Sequence, residues 1–302
     1  MHIPVLLQSI VEGLKPKEGE IFIDGTVNRG GHAKILASYL GSSGRILGID
    51  QDETALAEAR KNLGGLPCRV DLIQGNFRDM SKLAGQVGID YANGILLDIG
   101  FSSDQIANSG RGFSFLTDEP LIMTFANQKS GEPSSTQSLF IARDIVNDWD
   151  ENNLADIIYS YGEETFARKI ATKIVEERQK HPIETTRQLV EVIRQAVPVW
   201  YTKKRIHFAT KTFQAIRMTV NDELGSLKDG LASAWQILAK DGRLGVISFH
   251  SLEARLIKTF MKEKELVGEG TMTPKKAIKA SREEILSNPR SRSAQLRIIT
   301  KK

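Results

Sequence analysis

The first hundred residues alternate short, continuously apolar runs with amphipathic stretches, and no other feature of the chain restricts its fold as much. Ile21–Val27 (IFIDGTV), Arg45–Asp50 (RILGID), Arg69–Gln74 (RVDLIQ) and Gly94–Ile99 (GILLDI) read as strands. Between them, Ala33–Leu40 and Glu53–Leu63 carry helical spacing, and Asp52 stands where an N-cap belongs. Strands that are apolar throughout and separated by helices indicate a parallel sheet covered on both faces. Right-handed crossovers then bring the strand C-termini to one edge, where open α/β sheets bind their ligands.

Beyond Phe115 the rhythm changes. From about residue 134 to 197 only helices are legible: Gln137–Trp149, Asn152–Tyr161, Glu164–Gln179 and Thr186–Val197, with Pro182 and Pro198 as breakers. Another helical stretch, Ala209–Leu238, is interrupted near Gly225 and Gly230. Strand character returns at Arg243–Phe249 and Ala294–Thr300, while Gly268–Arg292 is polar and reads as loop. The expected architecture is one α/β domain made of residues 1–110 and 206–302, split by an all-helical insertion of residues 111–205 that would serve substrate recognition. A chain of 302 residues, 40% of them hydrophobic, has ample material for both cores.

Lone Cys68 excludes an intramolecular disulfide framework. No window approaches the ~20 apolar residues of a membrane span. The opening MHIPVLLQS has neither a basic leader nor a small-residue cleavage site. A cytoplasmic protein without a membrane partner is expected. The net charge of +4 is unevenly spread: residues 199–221 carry five basic and no acidic side chains, and residues 255–302 carry thirteen basic and five acidic, which leaves −9 for the remainder. Such asymmetry is expected of a surface that binds a polyanion, although a solvated lysine-rich surface gives the same count.

Chemistry gathers at the strand ends. Asp24-Gly25-Thr26-Val27-Asn28-Arg29-Gly30-Gly31-His32 leaves the first strand and opens the first helix. Glycines there let the backbone approach a ligand, and a helix N-terminus favours a carboxylate or phosphate. Asp50 ends the second strand twenty residues after Gly30, the spacing of an acid that bonds ribose hydroxyls. Gly75-Asn76-Phe77 follows the third strand, where a flat ring can stack on adenine, and Asp98-Ile99-Gly100-Phe101-Ser102-Ser103 follows the fourth. Together these read as an adenosine-cofactor site; a tight turn with a capping Asp is the plainer alternative. The loop lacks the three-glycine dinucleotide fingerprint, which favours S-adenosylmethionine over NAD. No Cys/His/carboxylate cluster has metal-ligand spacing, so no metal is expected.

Several long segments carry a more specific signal: His2–Leu7 (HIPVLL), Asp24–His32 (DGTVNRGGH), Gly94–Gln105 (GILLDIGFSSDQ), Arg111–Phe115 (RGFSF), Tyr161–Glu164 (YGEE), Thr212–Leu224 (TFQAIRMTVNDEL), Val246–Leu252 (VISFHSL) and Asn288–Arg297 (NPRSRSAQLR). In this order, over nearly the whole chain, they resemble the bacterial 16S ribosomal RNA cytosine-N4 methyltransferases, the MraW family. The resemblance implies a Rossmann-like S-adenosyl-L-methionine-dependent methyltransferase sheet with an inserted helical domain. It also implies that the substrate is a cytidine in the decoding region of 16S rRNA in the small ribosomal subunit. Position by position, it implies cofactor contacts at Gly30, Gly31, His32, Asp50, Phe77, Asp98 and Gln105.

Direct methyl transfer to an exocyclic amine needs alignment and an acceptor for the amine hydrogens rather than a nucleophile–base pair. Asp98 is the expected acceptor, in competition with its cofactor contact; Ser102 and Ser103 either bond the base or simply form the turn. Expected RNA contacts are Arg111 and Phe113, the cations Lys203, Lys204, Arg205, Lys211, Arg290 and Arg292, and His250, which could equally cap a helix. Monomer and homodimer are both compatible with the sequence.

The chain departs from the family pattern at Asn28 (usually Gly), at Ile122, Thr124 and Phe125 (where an acid and a base are lost together), and at Ala254 (usually Asp). The altered 122–125 segment leaves open a non-catalytic RNA-binding protein on a methyltransferase fold, and a NAD-linked oxidoreductase is the rival enzyme.

Overall fold

The computed structural model describes residues 4–100, 110–125 and 140–302. It divides into two compact units, Met1–Gly100 with Leu224–Lys302, and Phe101–Glu223. These boundaries differ from the sequence-based 110/111 and 205/206. Helix Thr210–Val220 explains the second shift, since Phe213, Ile216 and Val220 pack into the same apolar core as Ile145, Leu154, Ile170 and Leu189 of the insertion.

The first unit is built on one eight-stranded sheet: β1 Ile21–Asp24, β2 Arg45–Asp50, β3 Arg69–Gln74, β4 Ala92–Asp98, β5 Leu238–Ser248, β6 Gly270–Met272, β7 Ile278–Lys279 and β8 Gln295–Lys301. Its order is β3-β2-β1-β4-β5-β8-β6, with β7 also paired to β8. The five strands from β3 to β5 run parallel, and β8 is antiparallel to its three partners. Alternation along the strands sends Ile23, Leu47, Ile49, Ile95 and Leu97 to a core with Met80, Leu231 and Met261. Phe22, Ile46 and Leu96 go to a second core with Leu14, Leu36 and Leu56. Helices therefore cover both faces, as the unbroken apolar strands require. Gly94 makes room for this packing, since a Cβ there would lie 2.1 Å from the Phe22 ring.

The strand order fixes where a ligand goes. From β1 the chain winds outward to β2 and β3, then crosses back to β4 on the other flank of β1. The C-termini of β1 and β4 therefore flank the switch point, the place where doubly wound sheets leave a crevice.

The second unit is helical among the described residues, with Ala142–Asp148, Glu151–Ser160, Ala167–Arg178, Thr186–Ala196, Val199–Thr202 and Thr210–Val220. Thr185 caps its helix in a reciprocal box with Gln188. Among the described residues no helix is long and apolar enough to cross a membrane.

Three local expectations are corrected. Helix Leu7–Leu14 was not read from the sequence, and Gly268–Arg292 contains β6, β7 and helix Arg282–Ser287 rather than loop alone. The long helical stretch breaks at Asn221–Asp222, where Asp222 has φ 45°, and not at the glycines. Gly225 and Gly230 lie inside helix Glu223–Ile237.

Candidate active site

Four strands deliver polar side chains to one edge, with Asp24 on β1, Asp50 on β2, Gln74 on β3 and Asp98 on β4. After β1 the chain turns sharply. Asn28 adopts the left-handed region with φ 47°, which an Asn tolerates where the family usually has glycine. Its side chain donates to the Thr26 carbonyl at 3.0 Å. Gly30, φ 82°, then starts helix Gly31–Ala37, and its N–H returns to the Val27 carbonyl at 2.7 Å.

Asp50 is held from two sides. Its Oδ2 accepts the Asn28 N–H at 2.8 Å and its Oδ1 accepts the Asp52 N–H at 2.9 Å, so the β1 turn and the β2 turn share one carboxylate. Asp52 in turn caps helix Glu53–Asn62 through Thr54, as its position suggested. Burial pushes the Asp50 carboxyl up to about 6, against these backbone bonds, which favour its charged form.

Asp24 lies deeper, only 1% exposed. Burial drives its carboxyl up to about 7. The His32 charge and the Thr26 N–H oppose this, and the Asp98 and Asp50 charges add to it. Thr26 ties the two central strands together: its N–H donates to Asp24 Oδ1 at 3.2 Å, and its hydroxyl accepts the Asp98 N–H at 2.7 Å.

Asp98 Oδ1 accepts the Gly100 N–H at 3.3 Å, while Oδ2 lies 3.5 Å from His32 Nδ1. The other ring nitrogen of His32 is 2.9 Å from the Val5 carbonyl, which can only accept, so Nε2 carries a proton. The resemblance implies a cofactor contact at His32; its side chain is a buried brace between Val5 and Asp98.

Phe77 opens a short 3-10 turn, Phe77–Asp79, capped by the Asn76 side chain at the Arg78 N–H, 3.0 Å away. Its half-buried ring lies against Gly230, where a Cβ would come within 2.3 Å. Asn76 also donates to the Ser226 hydroxyl at 3.3 Å. Gly75 is fixed by its N–H to the Asp50 carbonyl at 2.9 Å. Thus Gly30, Gly31, His32, Asp50, Phe77 and Asp98 are brought to one sheet edge. Ser102, Ser103 and Gln105 lie outside the described residues.

The residues expected at RNA fare differently. Phe113 is buried and stacked on Phe125 with centroids 5.0 Å apart, so its ring belongs to the core of the helical unit and is not open to a base. Arg111 directs its guanidinium to the Thr124 and Phe125 carbonyls at 3.1 and 3.4 Å, and its charge lies over the Phe113 ring. Two of the altered positions are taken up in packing: Thr124 is buried, and Phe125 provides the ring on which Phe113 rests.

Lys203, Lys204 and Arg205 are exposed, as are Arg290 and Arg292 on Pro289–Ser293. Lys211 donates to the Glu163 carbonyl at 2.6 Å. His250 caps helix Ser251–Leu266 through the Glu253 N–H. Glu253, buried beneath it, accepts the Phe249 and His250 N–H groups at 2.8 and 3.3 Å. The capping alternative for His250 is the one realised.

Two contributors were missed as site residues, Thr26 and Asn76. The signal for each was a short hydrogen-bonding side chain one or two residues beyond a strand end. Asp24 was noted as a strand-end acid without a role.

A doubly wound α/β domain with three carboxylates, a turn rich in left-handed backbone and an aromatic ring at the switch-point edge defines an enzyme that binds a nucleoside cofactor. The carboxylates sharpen the class. Like charges forced together and away from water suit a ligand that brings hydroxyl donors and positive charge, and they oppose a pyrophosphate.

The MraW methylase family matches residues 1–302, and the chain belongs to that family. Ribosomal RNA small subunit methyltransferase H of Deinococcus radiodurans is 48% identical over 299 residues, 98% of this chain and 88% of that one. The protein of the same name from Geobacter sulfurreducens is 41% identical over 318 residues, covering 99% and 98%. A more distant likeness, TM-score 0.42 at 13% identity, is to a SAM-dependent O-methyltransferase of Thermotoga maritima, over 100% of this chain and 67% of that one.

Proposed function

We propose that the chain methylates small-subunit ribosomal RNA, and that the accepting atom is the exocyclic N4 of a cytidine in the decoding region. The methyl donor is S-adenosyl-L-methionine, which supplies, when bound, a methyl group made electrophilic by the attached sulfonium. The observation that carries the reading is the trio Asp24, Asp50 and Asp98 at adjoining strand ends, two of them held by burial at about 7 and about 6. That donor set fits this cofactor, which offers ribose hydroxyls, an ammonium and a sulfonium.

Each residue has a definite task. Asp50, fixed by two backbone N–H groups, has acceptor capacity left for ribose hydroxyls. Phe77, supported by Gly230, offers an aromatic face to adenine. The Gly30–His32 turn lets backbone N–H groups approach the cofactor's carboxylate. Asp98, steadied by Gly100 and His32, accepts an amine hydrogen and balances positive charge as it grows on nitrogen. The site thereby supplies alignment and desolvation, which suffice when the methyl group is already activated. Lys203, Lys204, Arg205, Arg290 and Arg292 are exposed cations suited to phosphates; Gln105 is a cofactor contact implied by the resemblance, and Ser102 and Ser103 either bond the base or form the turn.

The test is incubation of the protein with labelled S-adenosylmethionine and small subunits lacking the modification, followed by nucleoside mass spectrometry. N4-methylcytidine is the expected product. Label on another nucleoside would overturn the N4 assignment, and no label in small-subunit rRNA would overturn the substrate. RNA binding without any transfer would favour the non-catalytic alternative.

A further inference from the structure

We propose that Trp200 is a stacking platform for an unpaired RNA base, with Lys203, Lys204 and Arg205 holding the adjoining phosphates. The inference rests on the RNA-substrate reading and adds to it a recognition site built from residues of the helical unit alone. Trp200 is 58% exposed, and Val199 and Ile206 beside it are 72% and 62% exposed. Single apolar residues on a surface are ordinary. Three within eight positions, enclosing three consecutive cations in a stretch without an acid, are not explained by folding alone.

The exposure is built into the segment. Tyr201, the next residue, is buried, and its hydroxyl donates to Glu164 Oε2 at 2.6 Å. Glu164 is fully buried, and its Oε1 accepts the Phe166 N–H at 2.9 Å. Burial and the Glu164 carboxylate hold the Tyr201 phenol far above its ordinary range, so it stays a donor. Successive helical residues point about 100° apart, so anchoring Tyr201 inward on helix Val199–Thr202 turns Trp200 outward. The indole is steadied edge-to-face by Phe166, centroid distance 6.0 Å, and by Tyr201 at 5.7 Å. A ring fixed by its neighbours and still more than half in water loses little freedom when a base covers it.

The charge around it selects the occupant. Lys204 Nζ lies 5.0 Å from the Trp200 centroid and 4.7 Å from that of Tyr201, and Lys169 reaches over Phe166 at 5.9 Å. Of the acids on the neighbouring segment, Glu164 is buried and engaged, while exposed Glu163 gives its backbone carbonyl to Lys211. A polyanion with an exposed π-face matches these features. Single-stranded RNA is such a ligand, because a base within a duplex has both faces occupied.

The test uses the full chain and a short unstructured oligouridylate, read by fluorescence anisotropy and by tryptophan emission. W200A is expected to weaken binding about 5- to 150-fold, the usual loss for one stacked base. W200F should bind within about threefold of wild type, because a phenyl ring still stacks. K203A should lower the slope of log affinity against log salt by about 0.7. Oligouridylate should quench wild-type emission and leave W200F, which retains Trp149 and Trp235, nearly unquenched. Unchanged S-adenosylhomocysteine affinity in W200A would verify that the variant is folded.

Equal RNA affinity of W200A and wild type overturns the platform, as does emission that RNA leaves unaltered. Polyglutamate that quenches tryptophan emission and loses affinity in W200A, where oligouridylate does neither, would assign the surface to an acidic protein and overturn it too. Failure of the wild-type protein to bind RNA at all would instead sink the substrate reading, so the two failures are distinguishable.

Discussion

Asp24 should make the protein less stable as the pH rises, and replacing it by its neutral isostere should remove that loss. In the unfolded chain this carboxyl ionises near its ordinary 3.8, while in the fold burial holds it protonated to about 7. Below 3.8 both states carry the proton and the site costs nothing. Between the two values the unfolded chain releases its proton and the folded chain cannot, so stability falls with pH; above about 7 the loss is complete. At about 1.4 kcal/mol per pH unit the full loss amounts to about 4 kcal/mol, of which about 3 kcal/mol falls between about pH 5 and about pH 8.

Asp24→Asn retains an oxygen to accept the Thr26 N–H, now at 3.2 Å, and has no proton to lose. Urea unfolding followed by circular dichroism at about pH 5 and about pH 8 measures the difference. D24N should gain about 3 kcal/mol on wild type between the two conditions. An advantage that is the same at both, or that shrinks as pH rises, refutes the assignment of a buried, proton-holding carboxyl at the end of β1.

Other variants probe neighbouring parts of the site. Gly230→Ala places a Cβ 2.3 Å from the Phe77 ring and must displace it, so S-adenosylhomocysteine affinity by calorimetry should fall about 3- to 10-fold. Helical stability should not suffer, since Ala is the better helix former. Glu253→Ala leaves the Phe249 and His250 N–H groups without their acceptor in a buried place and should cost about 1–3 kcal/mol in urea unfolding. Asp98→Asn should lower the single-turnover rate of methyl transfer about 100-fold or more, and an unaltered rate would remove Asp98 as the hydrogen acceptor.

The parallel sheet was legible because a strand buried on both faces has to be largely apolar, and the cores of β1, β2 and β4 satisfy that locally; β3, at the sheet edge, is half-buried and carries Arg69, Asp71 and Gln74. Helices of the insertion were legible for the corresponding reason, with Thr186–Ala196 predicted to within one residue of its observed end. What escaped was set by partners distant in sequence. β6 and β7 are three and two residues long, and only pairing with β8 makes them strands. Gly230 reads as a helix breaker until Phe77, more than a hundred residues earlier, is seen to need the space.

At the strand edge, Asp50 stood out as a candidate because its spacing from the glycine turn is that of an acid that bonds ribose hydroxyls. The side-chain role of His32 could not, because it depends on Val5 and Asp98 arriving from two other elements. Phe113 misled for a related reason: an aromatic beside an arginine looks alike in sequence whether it faces a base or, as here, Phe125. Trp200 was missed because exposure has no local signature, although its place between Pro198 and three cations was visible.

The cofactor proposed for the carboxylates at the ends of β1, β2 and β4 is an adenosine compound that is not a dinucleotide. Titration calorimetry of S-adenosylhomocysteine and of NADH into wild type and Asp50→Ala tests it directly. Saturable binding of S-adenosylhomocysteine at one site, weakened at least about tenfold by D50A, with no binding of NADH, is the predicted result. Wild-type affinity in D50A, or saturable binding of NADH, would contradict it.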